Sequence, residues 1–141
     1  GEGEERKKLN KLILKNKMNN NIFIPGKVTR IYKYMRKSDV FILSSLWEEI
    51  GFVIVEAALS NLFVISSDCP NGPSEFLSEG RGGILFKNNS KESFINEFEN
   101  FRELKKNEKT NIKLNAKKFT KNFSLLSHFI KINNIIKNEN D

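Results

Sequence analysis

Val40-Phe41-Ile42-Leu43-Ser44-Ser45-Leu46-Trp47-Glu48-Glu49-Ile50-Gly51-Phe52-Val53-Ile54-Val55-Glu56-Ala57-Ala58 is the stretch that decides the fold. Val40 to Leu43 is an unbroken apolar run with the length and residue types of a buried strand. Ser44 to Gly51 is a polar turn, and Gly51 to Ser60 reads as a buried helix. Two carboxylates bracket the start of that helix. Glu48 stands in the turn, and Glu56 stands inside the helix with apolar neighbours on every side. A charge is costly to bury unless it is paired or hydrogen-bonded. The local sequence supplies no cation, so Glu56 is expected to be buried and to need a partner from elsewhere.

The same alternation extends outward. Residues 4–18 carry Leu9, Leu12 and Ile13 at helical spacing, with Glu4 and Glu5 placed to suit the dipole of a first turn. Ile22-Phe23-Ile24 reads as a short buried strand stopped by Pro25-Gly26. Thr29 can cap a helix through Ile31, Tyr34 and Met35. Leu62 to Ile65 and Ile84 to Phe86 are further apolar runs. Between them, Pro73 suits the first position of a short helix. Beyond Ser90, itself a cap candidate with Ser93, the spacing of Phe94, Ile95, Phe98, Phe101 and Leu104 is helical. Two more helices are expected after a break near Asn107. Strands alternating with helices predict an α/β fold with a Rossmann-like parallel sheet of about four strands. One domain is expected over 1–141, a βα core in 1–89 followed by C-terminal helices in 90–141.

Composition narrows the function classes. The hydrophobic share of 38% and charged share of 29% describe a globular chain. No apolar run approaches the roughly 20 residues that span a bilayer. The single Cys69 excludes an internal disulfide and suits a reducing compartment, so a cytoplasmic location is expected. No zinc-ligand spacing and no interleaving of basic and aromatic residues points to a metal site or to nucleic acid. The net charge of +7 suits solvated lysines or an anionic partner.

In open parallel sheets ligands bind outside the carboxyl ends of the strands. Those ends carry Pro25-Gly26-Lys27, Ser44 to Gly51, and Ser66 to Gly72. The helix amides at Gly51, Phe52 and Val53 would favour phosphate. Glu56 can accept from the vicinal diol of a ribose, and Glu48 can reach hydroxyls beyond the phosphates. Spacing therefore suggests a nucleotide diphosphate joined to a polyhydroxyl group. Pairing of Glu56 with a lysine or arginine remains the alternative.

The stretch resembles the Glu-x7-Glu motif of retaining glycosyltransferases of the GT-B fold, family-4 type. Other segments match in order: Gly1 to Arg6, Ile22 to Gly26, Tyr34 to Ser45, Val64 to Asp68, and Gly72-Pro73-Ser74-Glu75. Trp47 to Phe52 is similar to a variant found in transferases that build surface polysaccharides. The resemblance covers 1–86. It implies one lobe of a GT-B fold, the donor-binding one, truncated at its N-terminus. It also implies transfer of a hexosyl group with retention, from a nucleotide-diphosphate sugar to a glycan or lipid-linked acceptor. Neither cofactor nor metal is implied. Glu48 would bind the donor sugar as the catalytic residue, and Glu56 the ribose. Ile50, Gly51, Phe52 and Val53 would hold the diphosphate and sugar. Gly26, Lys27 and Val28 would line the base site. The acceptor would enter through a missing N-terminal lobe, with peripheral association at the inner membrane face.

Two departures stand out. Glu49-Ile50-Gly51 replaces the usual Gly-Phe-Gly, and the family's basic pair for the diphosphate would lie upstream of Gly1. The isolated chain is therefore expected to be nearly inactive. The alternative is a non-catalytic truncated module, or a subunit pairing with a separate acceptor-lobe chain. His128, the only histidine, reads as structural. Cys69 has no companion that would make it a nucleophile. Glu75 suits either a helix cap or the site.

Overall fold

The structure, a computed structural model, describes residues 2–49, 51–123 and 125–138. Its contacts divide into two compact units, 1–34 and 35–141.

In the first unit, helix α1 spans Arg6–Lys15, shorter at both ends than the periodicity predicts. The amide and side-chain nitrogens of Asn16 both turn back to the Leu12 carbonyl and end the helix. Its apolar stripe remains open: Leu9 and Leu12 are exposed, and with Ile13, Ile22 and Ile24 they line an apolar groove of about 660 Å³. Ile22 to Ile24 joins no sheet, which corrects the expected first strand. The reason lies in its backbone groups. The Ile22 amide donates to the Met18 carbonyl at 2.9 Å, and the Ile24 carbonyl accepts from the Arg6 guanidinium at 2.9 Å. Both are groups that a ladder would use, and Phe23 between them is 77% exposed. Helix α2, Ile31–Met35, ends at the division between the units.

The second unit holds the sheet. Among the described residues its strands are β1 (Val40–Leu43), β2 (Phe63–Ser67) and β3 (Ile84–Phe86), all parallel and in the order β1-β2-β3. Val40 lies opposite Phe63, Leu43 opposite Ser66, and Ile65 opposite Ile84. Helix α3 (Phe52–Leu59) connects β1 to β2, and short α4 (Pro73–Phe76) connects β2 to β3, with Pro73 at its first turn as predicted.

Period-two alternation gives the sheet two apolar faces. Phe41, Leu43, Leu62, Val64 and Leu85 pack with Ile54 and Ala57 of α3 and with Phe76 and Leu77. Phe63, Ile65 and Phe86 face the other way. They meet Phe94, Phe98, Phe101 and Ile112 from α5 (Lys91–Glu103) and α6 (Lys106–Thr120). Phe63 and Phe101 have ring centroids 4.7 Å apart. Ser90 caps α5, its hydroxyl accepting from the Ser93 amide at 3.2 Å. The break between α5 and α6 falls at Leu104 and Lys105, slightly ahead of Asn107. A one-turn 3-10 helix, Lys121–Phe123, precedes α7 (Leu125–Asn138). No helix among the described residues is long and apolar enough to cross a membrane.

The approach to β3 is tight. A Cβ on Gly83 would lie 2.7 Å from the Val64 carbonyl oxygen and 3.1 Å from the Leu77 methyls. Neither β2 backbone nor a fully buried leucine can yield cheaply. Gly83→Ala is therefore expected to destabilise the fold by about 1–3 kcal/mol, measurable as a lowered Tm in thermal unfolding.

Candidate functional site

The carboxyl ends of β1, β2 and β3 form one rim. After β1 the chain crosses 44–51, after β2 it crosses 68–72, and after β3 it crosses 87–90. The first two of these crossings were expected to form the rim.

Gly51 is the N-cap of α3 at φ +70°, a left-handed conformation that glycine adopts without strain. A Cβ there would meet the Phe76 ring at 3.5 Å and the Glu48 Cβ at 4.0 Å, both ordinary contacts. Its glycine is thus required by backbone direction, which turns the chain from the rim into α3. The Ile54 amide closes the first turn on the Gly51 carbonyl at 3.0 Å. Helix geometry leaves the Phe52 and Val53 amides without an intrahelical acceptor, at the positive end of the helix dipole.

Glu56 is partly buried rather than buried, which corrects the sequence expectation. Ile54, Ala57 and Ala58 are the core face of α3. Glu56 follows Ile54 by two residues, about 200° around a helix of 3.6 residues per turn, so it faces away from the core. Phe52 and Leu59 share that outward face and are exposed. Glu56 is engaged within the chain.

Glu48 is also partly buried, and its position is defined by a relay of hydroxyls. The Ser45 hydroxyl donates to Glu48 Oε1 at 2.5 Å. The Ser67 hydroxyl, at the buried end of β2, donates to the Ser45 carbonyl at 2.5 Å. The Asn88 amide, after β3, donates to the Leu46 carbonyl at 2.9 Å. The loop carrying Glu48 is thus tied to the end of β2 and to the turn after β3. Trp47 and Phe52 flank it as exposed rings. Sequence reasoning placed the serines on the rim but missed this clamp. On the α5 side of the rim a cavity of about 450 Å³ opens among Ser44, Leu46, Ser67, Ser90 and Lys91.

The other candidates distribute as follows. Val53 is partly buried at the start of α3, and Ile50 lies outside the described residues. Gly26, Lys27 and Val28 belong to the first unit. There Gly26 is buried with φ +79°, and a Cβ on it would run into the Glu2 carboxylate, which pairs with Arg6 at 3.6 Å. Lys27 is exposed. Glu75 occupies the third position of α4 and is exposed. Cys69 is buried, and His128 is exposed on α7.

A parallel sheet whose rim carries Glu48 and the N-terminus of α3, with Glu56 about a turn into that helix, can hold a phosphorylated polyol. The family model described as glycosyl transferases group 1 matches residues 1–119. The chain belongs to this family. Among curated relatives, an uncharacterized glycosyltransferase of Methanocaldococcus jannaschii is 42% identical over 77 residues, 55% of this chain and 19% of that protein. A poly(ribitol-phosphate) alpha-N-acetylglucosaminyltransferase of Staphylococcus aureus is 29% identical over 90 residues, 64% of this chain and 18% of that protein. The chain therefore spans under a fifth of each. The crystal structure of Anabaena HepE in complex with UDP superposes with a TM-score of 0.81 at 22% identity, covering 94% of this chain and 36% of that one. That likeness is one of fold. It identifies the three-stranded unit and its helices as part of a GT-B lobe.

Proposed function

We propose that this chain is the nucleotide-sugar-binding part of a retaining glycosyltransferase, with a uridine diphosphate hexose as donor. The proposal is supported by Glu48 in the loop after β1 and Glu56 about a turn into α3, the helix that starts at the carboxyl rim of the parallel sheet. Glu56 accepts from the ribose diol. The amides of Phe52 and Val53 face the diphosphate, where the helix dipole offsets its charge. Glu48 accepts from hydroxyls of the sugar, next to the reacting carbon. Gly51 gives the backbone its direction there.

In the reaction, the bond from the anomeric carbon to the diphosphate oxygen breaks. A bond to the acceptor hydroxyl oxygen forms on the same face, and the acceptor's proton leaves with the departing diphosphate. The relatives support a glycan or polyol-phosphate acceptor and a place in surface polysaccharide synthesis. The bound UDP of the HepE structure supports the choice of nucleotide.

Cytoplasmic location with peripheral membrane association belongs to the same proposal. It is supported by the run from Lys109 to Asn138, which holds seven lysines and no acidic residue. It also holds the exposed Phe129, Ile132 and Ile136 of α7. An amphipathic helix with nearby lysines suits an anionic bilayer surface.

Glu48→Ala tests the sugar role. Transfer by the full-length protein is expected to fall at least about a hundredfold, as for loss of one group aimed at the reacting centre, while UDP affinity stays within about threefold. Unchanged transfer would refute the assignment.

A further inference from the structure

We infer that Ser45 is a positioning residue for Glu48, with Ser67 as its anchor. The inference rests on the donor-sugar role of Glu48 proposed above.

Three observations carry it. First, the loop holding Glu48 has little packing of its own: Leu46 and Trp47 are 62% and 61% exposed. A glutamate on such a loop has several rotamers open to it. Second, the Ser45 hydroxyl donates to one carboxylate oxygen of Glu48 at 2.5 Å, which selects one rotamer and leaves Oε2 to accept from a ligand. Hydrogen bonds to a charged group are the strong ones. Third, Ser45 is itself fixed from below. Ser67 is 1% exposed, and its hydroxyl holds the Ser45 carbonyl at 2.5 Å. The register that places Leu43 opposite Ser66 brings Ser45, two residues past β1, beside Ser67, the last residue of β2. Rigidity of the buried sheet is thereby passed through two hydroxyls to the carboxylate. The hydroxyl at 45 serves the sugar and has no part in holding the nucleotide, which the α3 amides and Glu56 would bind.

The test is calorimetric titration of the full-length protein with UDP, UDP-glucose and UDP-N-acetylglucosamine. The quantity read is the ratio of UDP Kd to sugar-nucleotide Kd, with Tm measured alongside. Ser45→Ala and the near-isosteric Ser45→Cys are expected to lower that ratio about tenfold, the scale of one charge-assisted hydrogen bond. UDP affinity should stay within about twofold and Tm within a few degrees. Ser45→Thr, which keeps the hydroxyl, should restore the ratio, and Ser67→Ala should shift it in the same direction as Ser45→Ala. In a Glu48→Ala background, Ser45→Ala should add nothing, the mark of two residues acting as one unit.

If Glu48→Ala lowers the ratio and both Ser45 variants leave it unchanged, the positioning role is wrong and the role of Glu48 stands. Parallel loss of UDP and sugar-nucleotide affinity with a lowered Tm would make Ser45 merely structural. If Glu48→Ala leaves the ratio unchanged, or no probe binds, the proposed function fails and the inference with it.

Discussion

Glu56→Ala is expected to weaken UDP binding by about a hundredfold or more, with little change in Tm. The magnitude follows from chemistry. A ribose diol offers two hydroxyls to one carboxylate, and a hydrogen bond to a charged group contributes about 1.5–3 kcal/mol. Loss of both leaves the diol facing an alanine methyl. The small cost to stability follows from position: Glu56 is only partly buried and points away from Ile54 and Ala58, so its removal opens no core cavity. A nucleotide lacking the 2′-hydroxyl separates this effect from general damage. It should bind the native protein about tenfold or more weakly than UDP, the scale of one such bond. The alanine variant should scarcely distinguish the two. Equal discrimination by both proteins would show that Glu56 does not touch the ribose.

Phe63→Ala has the largest expected effect on stability, about 3–5 kcal/mol. Phe63 is 2% exposed in the central strand. It lies opposite Val40 and packs on Phe101, with Ile65 and Phe86 beside it in the same cluster. Truncation removes a ring from the junction of sheet, α5 and α6, where neighbours held by the ladder on either side cannot collapse into the space. Total stabilities of 5–15 kcal/mol are usual, so much of the margin would be lost. Thermal unfolding should show Tm lowered by more than about 10 °C. A fall of only a few degrees would mean that this face of the sheet is less tightly packed than its contacts imply.

The elements read correctly from sequence are those decided locally. Val40 to Leu43 and Ile84 to Phe86 are unbroken apolar runs bounded by turn residues, and both are strands. Pro73 and Ser90 mark helix starts through their own chemistry. Ile22 to Ile24 has the same local signal and is no strand, because Met18 and Arg6 take the backbone groups that a ladder would need. Glu56 misled for a related reason. Its helix is apolar on nearly every face, so periodicity could not show that the carboxylate lies opposite Ile54 and Ala58.

The clamp on Glu48 was beyond local reasoning altogether. Ser45 and Ser67 are 22 residues apart. Asn88 reaches Leu46 across 42 residues. Those contacts exist because strand register brings them together, and register is a property of the sheet. The motif spacing of Glu48 and Glu56 was legible, whereas the groups that hold the first of them in place were not.

The central claim is that nucleotide binds where α3 begins. Titration of the isotope-labelled full-length protein with UDP, followed by amide chemical shifts, tests it residue by residue. The largest changes are predicted at Gly51, Phe52 and Val53, with smaller ones at Glu48 and Glu56. Changes absent from these residues, or concentrated instead along α6 and α7, would contradict it.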